Sequence, residues 1–258
     1  MWFDSHCHLH LCDEAGGPTD VIGRARAAGV SAMVTLGTDV ATSRRALEIA
    51  SADGVYAGVG MHPTDLEGWS PAALATIDGL LGDRRAVAVG ETGLDFHHDG
   101  GGGGRQEEAF AAHIDLAKKH DKPLVIHTRD SVGEAIELLA GEGPPPGLVF
   151  HCWSGHEAHL RAALEMDAHI SFAGNVSFSS AGDLRRLAAL VPGERLLVET
   201  DSPFLTPVPN RGKPNEPRNV AHVGQAVADA RGVSAHLLGE LTTRNASAFF
   251  GVSAPTSP

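Results

Sequence analysis

Trp2-Phe3-Asp4-Ser5-His6-Cys7-His8 reads as a short strand that ends on a pair of histidines. Residues i and i+2 of a strand project to one face, so His6 and His8 can reach a single ion while Cys7 packs behind them. Similar endings recur down the chain. Val55 to Val59 runs into Gly60-Met61-His62-Pro63, Ala86 to Val89 into Gly90-Glu91, and Leu124 to Ile126 into His127. Leu148 to Phe150 runs into His151, and Leu196 to Val198 into Glu199-Thr200-Asp201. Two further apolar runs, Ser31 to Leu36 and His169 to Phe172, lead to Gly37 and Asn175.

Helical segments rich in Ala and Leu separate these runs: 18–29, 40–52, one opened by Ser70-Pro71, 105–120, 131–140, 156–167 and 181–190. Pro18 sits near the start of the first, and Ser70 reads as an N-cap. Two more helices are expected at 217–230 and 234–249. With His6, Gly37, His62, Glu91, His127, His151, Asn175 and Asp201 as markers, the repeat steps are 31, 25, 29, 36, 24, 24 and 26 residues. Regular βα alternation predicts an α/β fold, a (β/α)8 TIM barrel. A doubly wound open sheet is the alternative, but it concentrates its polar residues at one switch point. Here polar residues end at least six of the eight strands.

A barrel gathers the C-terminal ends of its strands at one mouth. His6, His8, Glu91, His127, His151 and Asp201 would therefore converge, and four imidazoles with two carboxylates make a metal centre, with two ions. The length of 258 residues suits one barrel domain over 1–251, with 252–258 a frayed tail. A 42% hydrophobic fraction supports a large core, filled mainly by aliphatic residues, since nine Phe, three Trp and one Tyr are outnumbered by 15 His.

The net charge of -12 argues against a broad grip on duplex nucleic acid. It leaves room for a phosphate-bearing substrate, because divalent ions invert the local field. Cys7, Cys12 and Cys152 form no disulfide framework, and Cys152, like Cys7, is expected to pack behind the site. No signal peptide and no run of 18 apolar residues is read, so the expectation is a cytoplasmic protein without membrane contact, a monomer or weak oligomer. Gly100 to Gly104 reads as a flexible insertion, and Pro144-Pro145-Pro146 as a stiff connector.

The layout resembles the amidohydrolase-type metal hydrolases, with Glu91 supplying the bridging carboxylate. Longer motifs narrow it. Asp4-Ser5-His6-Cys7-His8-Leu9, Gly60-Met61-His62-Pro63, Gly90-Glu91-Thr92-Gly93-Leu94-Asp95, Pro123-Leu124-Val125-Ile126-His127, His151-Cys152-Trp153-Ser154-Gly155 and Glu199-Thr200-Asp201-Ser202-Pro203 resemble the TatD family of metal-dependent deoxyribonucleases. Arg211-Gly212-Lys213-Pro214-Asn215-Glu216-Pro217 matches a further family segment, and the resemblance covers residues 2 to 250. It implies that His6, His8 and Asp201 hold one ion, His127 and His151 a second, and that Glu91 bridges them. The ions would be Mg, Mn, Zn, Fe, Co or Ni, with Glu199 a candidate ligand for a third.

Such a centre lowers the pKa of a water and clamps phosphoryl oxygens, and Asp201 would take the water's proton. The implied activity is hydrolysis of DNA, as a 3′ exonuclease on single strands. Rivals are ester or amide hydrolysis, including D-aminoacyl-tRNA deacylation, and a non-enzymatic metal-binding scaffold. His62 is expected at the mouth as a substrate contact or proton donor, or as a structural histidine. Asp95 would orient a ligand, reach substrate or stabilise its turn. Arg129, Arg211 and Lys213 are candidates for phosphate, against ordinary surface roles, and Trp153 for stacking on a base, against core packing. His10 stands where relatives have Asp or Asn, as a loop residue or a peripheral ligand. His97, His98 and His113 are expected in surface or packing roles.

Overall fold

The computed structural model describes residues 1–98 and 104–253. Its eight strands form one parallel sheet in sequence order: β1 Trp2–Cys7, β2 Val30–Leu36, β3 Val55–Val59, β4 Ala86–Asp95, β5 Leu124–Arg129, β6 Leu148–Phe150, β7 His169–Phe172 and β8 Leu196–Val198. A parallel bridge between Cys7 and Ser202 brings the last strand's exit to the first. Asp4 ties the same seam, accepting from the Thr200 N–H at 2.8 Å and the Thr200 hydroxyl at 2.6 Å. The sheet thus curls into the expected (β/α)8 barrel.

The helices are α1 Gly17–Ala27, α2 Val40–Ile49, α3 Pro71–Leu80, α4 Gly104–His120, α5 Val132–Glu142, α6 Glu157–Glu165, α7 Gly182–Leu190, α8 Val220–Arg231 and α9 Ala235–Phe249. Ser70 caps α3 by accepting from the Ala73 N–H, as its Ser-Pro start implies. The stretch 217–219 is a separate 3-10 turn before α8. The glycine run at 100–104 lies outside the described residues except for Gly104, the first residue of α4, and the tail from residue 254 lies outside them entirely.

Alternation along the strands builds two apolar layers. Phe3, Val34, Leu36, Ala88, Val125, Val149 and Leu197 cluster with Phe250, which follows α9. Met33, Ala57, Val89, Ile126, Phe150 and Ile170 turn the other way and pack on helix residues such as Ala46, Ile77, Phe110 and Leu160. No helix among the described residues is long and apolar enough to cross a membrane.

Three strands run further than their apolar cores imply. His6, Glu91 and His127 lie within β1, β4 and β5, not just past them. Two of these strands also shift register, between Asp4 and Cys7 in β1 and between Val89 and Thr92 in β4. Ala88 packs with the inner cluster, so strict alternation would send Glu91 toward the helices. The shift re-aims it to the centre. Glycine makes this possible: a Cβ on Gly93, at φ 140°, would lie 2.1 Å from the His127 carbonyl oxygen, and one on Gly90, at φ 133°, 2.6 Å from that of Val125.

Candidate metal centre

Glu91 is buried at the middle of the barrel mouth and divides the histidines into two groups. Its Oε2 faces His6 Nε2 at 3.2 Å and His8 Nε2 at 3.4 Å. Its Oε1 faces His151 Nε2 at 2.8 Å, His127 Nδ1 at 3.1 Å and His62 Nε2 at 3.4 Å. Asp201 closes the first group, with Oδ1 3.8 Å from His6 Nε2 and 3.5 Å from His8 Nε2. All six residues read as ligands from the sequence therefore meet.

Secondary contacts aim the rings. His8 Nδ1 lies 3.0 Å from the Leu36 carbonyl oxygen, which turns Nε2 to the centre. His127 Nε2 lies 3.1 Å from Asp95 Oδ2, leaving Nδ1 for the centre. His151 Nδ1 lies 3.1 Å from Glu199 Oε1. A carboxylate or carbonyl behind a histidine fixes its tautomer and raises its basicity.

Charges follow the same division. Burial opposes ionisation of Glu91, but His151, His6 and His62 outweigh it and hold the carboxyl well below its usual range. Burial likewise opposes the His151 cation, yet Glu91 and Glu199 push its pKa well up. Burial also opposes the His8 and His127 cations. A hydrogen bond with Asp201 for His8, and with Asp95 for His127, leads the Glu91-assisted net rise. Burial and then His151 push His6 down.

The donor set fits divalent ions. Three groups of three donors, each within 4.8 Å, occur among the described residues: His6 with His8 and Asp201, His62 with Glu91 and His127, and His6 with His151 and Glu199. Among the described residues, His6 Nδ1 and Glu199 Oε2 are buried without a hydrogen-bond partner. Imidazole and carboxylate suit first-row transition ions, and the carboxylates also admit Mg.

The second rank of sequence expectations divides. His62 and Arg129 line the cavity over the centre, which encloses about 830 Å³. His62 also stands among the possible ligands. Asp95 is buried and grips the His97 and His98 N–H groups as well as His127. Trp153, by contrast, is 1% exposed and sits edge-on against Phe150, so its ring is not offered to the mouth. Arg211 and Lys213 are exposed in the loop after β8 but do not line this cavity; Arg211 instead sits 3.9 Å over the Phe178 ring.

Cys7 packs among the outer apolar residues as expected. Cys152 does not: β6 stops at Phe150, alternation no longer holds, and the left-handed backbone at Cys152, φ 42°, sets it on the cavity wall. His10, Leu11, His98, Asn175 and Phe204 also line the cavity. His10 was open to either role in the sequence. Phe204 carried no signal beyond its place three residues after Asp201.

A parallel barrel with imidazoles and carboxylates converging at its C-terminal mouth is the layout of a metal-dependent hydrolase. Comparison with known proteins narrows this further. The sequence model described as TatD related DNase matches residues 3–251, and the chain belongs to that family. It is 39% identical over 257 residues to the uncharacterized metal-dependent hydrolase TatD of Mycobacterium tuberculosis, covering 96% of this chain and 97% of that one. It is 36% identical over 257 residues to the 3′-5′ ssDNA/RNA exonuclease TatD of Klebsiella pneumoniae, covering 97% and 98%. Among solved structures, the TatD homologue YjjV of Escherichia coli superposes with a TM-score of 0.92 at 28% identity over 98% of each chain.

Proposed function

We propose that this hydrolase cleaves phosphodiester bonds of single-stranded DNA from the 3′ end, using two divalent ions held in one domain, residues 1–251. The observation that carries the reading is the division of Glu91. One carboxylate oxygen faces His6 and His8, and the other faces His127 and His151. Under this reading His6, His8 and Asp201 would hold one ion and His127 and His151 the other, with Glu91 offering one carboxylate oxygen to each group. His62 and Glu199 are the candidate ligands for a third.

Such ions, when bound, activate a water and neutralise the oxygens of the phosphoryl group. The residues do the rest. Burial opposes the Asp201 charge, but His8, His151 and His6 outweigh it and lower its pKa, so the group is a carboxylate. Its side chain is 12% exposed at the cavity, where it can accept the attacking water's proton. Arg129, which lines the same cavity from the end of β5, would meet the phosphate, and the 2.7 Å contact of His62 Nδ1 with Thr64 Oγ1 orients that ring. The name of the Klebsiella pneumoniae relative supports the single-strand, 3′-5′ assignment.

The test is to incubate Mg-, Mn- or Zn-loaded protein with 5′-labelled single-stranded DNA, with duplex DNA and with D-aminoacyl-tRNA, beside Glu91→Ala. Stepwise shortening of the single strand, lost in Glu91→Ala, is the expected result. Release of D-amino acid with intact DNA would replace the phosphodiester by an acyl ester as the bond attacked.

A further inference from the structure

Phe204 is a large apolar ring left 52% exposed on the wall of the catalytic cavity. Its N–H donates to the Asp201 carbonyl at 2.8 Å, and its ring centroid stands 6.0 Å from that of His8. Leu11, 45% exposed, and Leu205 line the same cavity. The two loops that carry them are joined by the His8 N–H donating to the Ser202 carbonyl at 2.7 Å.

The ring is displayed on a fixed support. Asn215 Nδ2 donates to the Thr200 carbonyl at 2.9 Å and to the Phe204 carbonyl at 2.5 Å. The Leu205 carbonyl oxygen packs so closely on Gly174 that a Cβ there would stand 1.7 Å from it. An exposed phenyl held this firmly is suited to receive a flat partner.

The rest of the cavity says what that partner is. Among its described lining residues Arg129 is the sole Lys or Arg, while Asp65, Glu91, Asp95 and Asp201 are acidic. Beyond the centre itself, little there attracts the phosphates of neighbouring nucleotides. Stacking supplies affinity without charge. We propose that Phe204, flanked by Leu11, is the platform for the nucleobase beside the scissile phosphate. This rests on the nuclease reading above. It also gives that reading a source of strand selectivity, since a base inside a duplex has both faces covered.

The test compares wild type, Phe204→Ala and Phe204→Trp on a thymidine oligonucleotide and on the same strand ending in three abasic residues. KM for the thymidine strand is expected to rise on the order of 10-fold in Phe204→Ala and to hold in Phe204→Trp. The Phe204→Ala penalty on the abasic end should be several-fold smaller. Equal penalties on both strands, or none, overturn the platform. If wild type cleaves neither strand, the nuclease reading fails by itself, and binding decides the platform. Fluorescence anisotropy of labelled thymidine oligonucleotide in chelator should then show weaker binding by Phe204→Ala. Equal or absent binding by wild type and variant would overturn it.

Discussion

His151 presents Nδ1 to Glu199 Oε1 at 3.1 Å, and Glu199 is fully buried behind it. The same oxygen accepts the Cys152 N–H at 2.8 Å. Glu199 therefore fixes both the ring and its backbone, leaving Nε2 for the centre. Glu199→Gln keeps the volume and removes the charge. Loss of such a partner costs about 10- to 100-fold in metal affinity. Chelator competition with Zn should show this at little change in Tm; unchanged affinity would reduce Glu199 to a packing role.

Metal uptake should release protons. Carboxylates outweigh burial and hold His8, His127 and His151 above their ordinary pKa, so each ring keeps to higher pH than a free imidazole a proton that an ion must displace. Affinity should rise with pH. Calorimetry in two buffers of different ionisation enthalpy measures the protons released, and a buffer-independent heat would contradict the protonated histidines.

One face of α4 grips the site twice, through residues seven apart. Gln106 Oε1 accepts the Asp95 N–H at 2.8 Å, while its Nε2 donates to the Asp95 carbonyl at 3.1 Å. His113 Nε2 accepts the Met61 N–H at 3.1 Å, and its Nδ1 donates to the Ala109 carbonyl at 2.6 Å. Met61 and Asp95 lead to His62 and His127, whose ring centroids stand 4.3 Å apart. His113→Leu would leave a buried N–H unpaired, costing about 1–3 kcal/mol. His113→Gln keeps one donor and one acceptor and should restore most of that stability and the activity. Equal loss in both variants would point to ring packing instead.

His113 also sets an acid limit. Burial lowers its pKa from 6.5 to about 4. The folded state therefore refuses a proton that the unfolded state accepts, so this contribution is intact above pH 6.5 and is lost as pH falls toward 4. At about 1.4 kcal/mol per pKa unit the loss is about 3 kcal/mol. Denaturant melts of His113→Gln should show a flatter stability slope across this window; an unchanged slope would assign it to other groups.

Asp201→Asn should lower kcat by about 100-fold or more, since general-base assistance contributes 10²–10⁴-fold. Circular dichroism should be unchanged. Normal turnover would remove Asp201 as proton acceptor.

Much of this was legible in the sequence, for particular reasons. Strand ends in a parallel barrel share one mouth, so His6, His8, His127, His151 and Asp201 could be placed without coordinates. Glu91 was placed by the same strand-end position, but its aim depends on a register shift that no alternation pattern displays. Cys152 was misplaced, and Trp153 left open between stacking and core packing, because the chain leaves β6 at Phe150, after which period-two reasoning has no basis. The α4 clamp was invisible, because Gln106 and His113 act on backbone groups that only the fold brings near. Phe204 looked ordinary because exposure cannot be read from a single residue type.

The division of Glu91 is best tested by anomalous scattering from crystals grown with Mn or Zn. Two peaks are expected on either side of the carboxylate, one among His6, His8 and Asp201 and the other between His127 and His151. A single peak, or peaks that leave Glu91 without a metal contact, would contradict the two-ion centre.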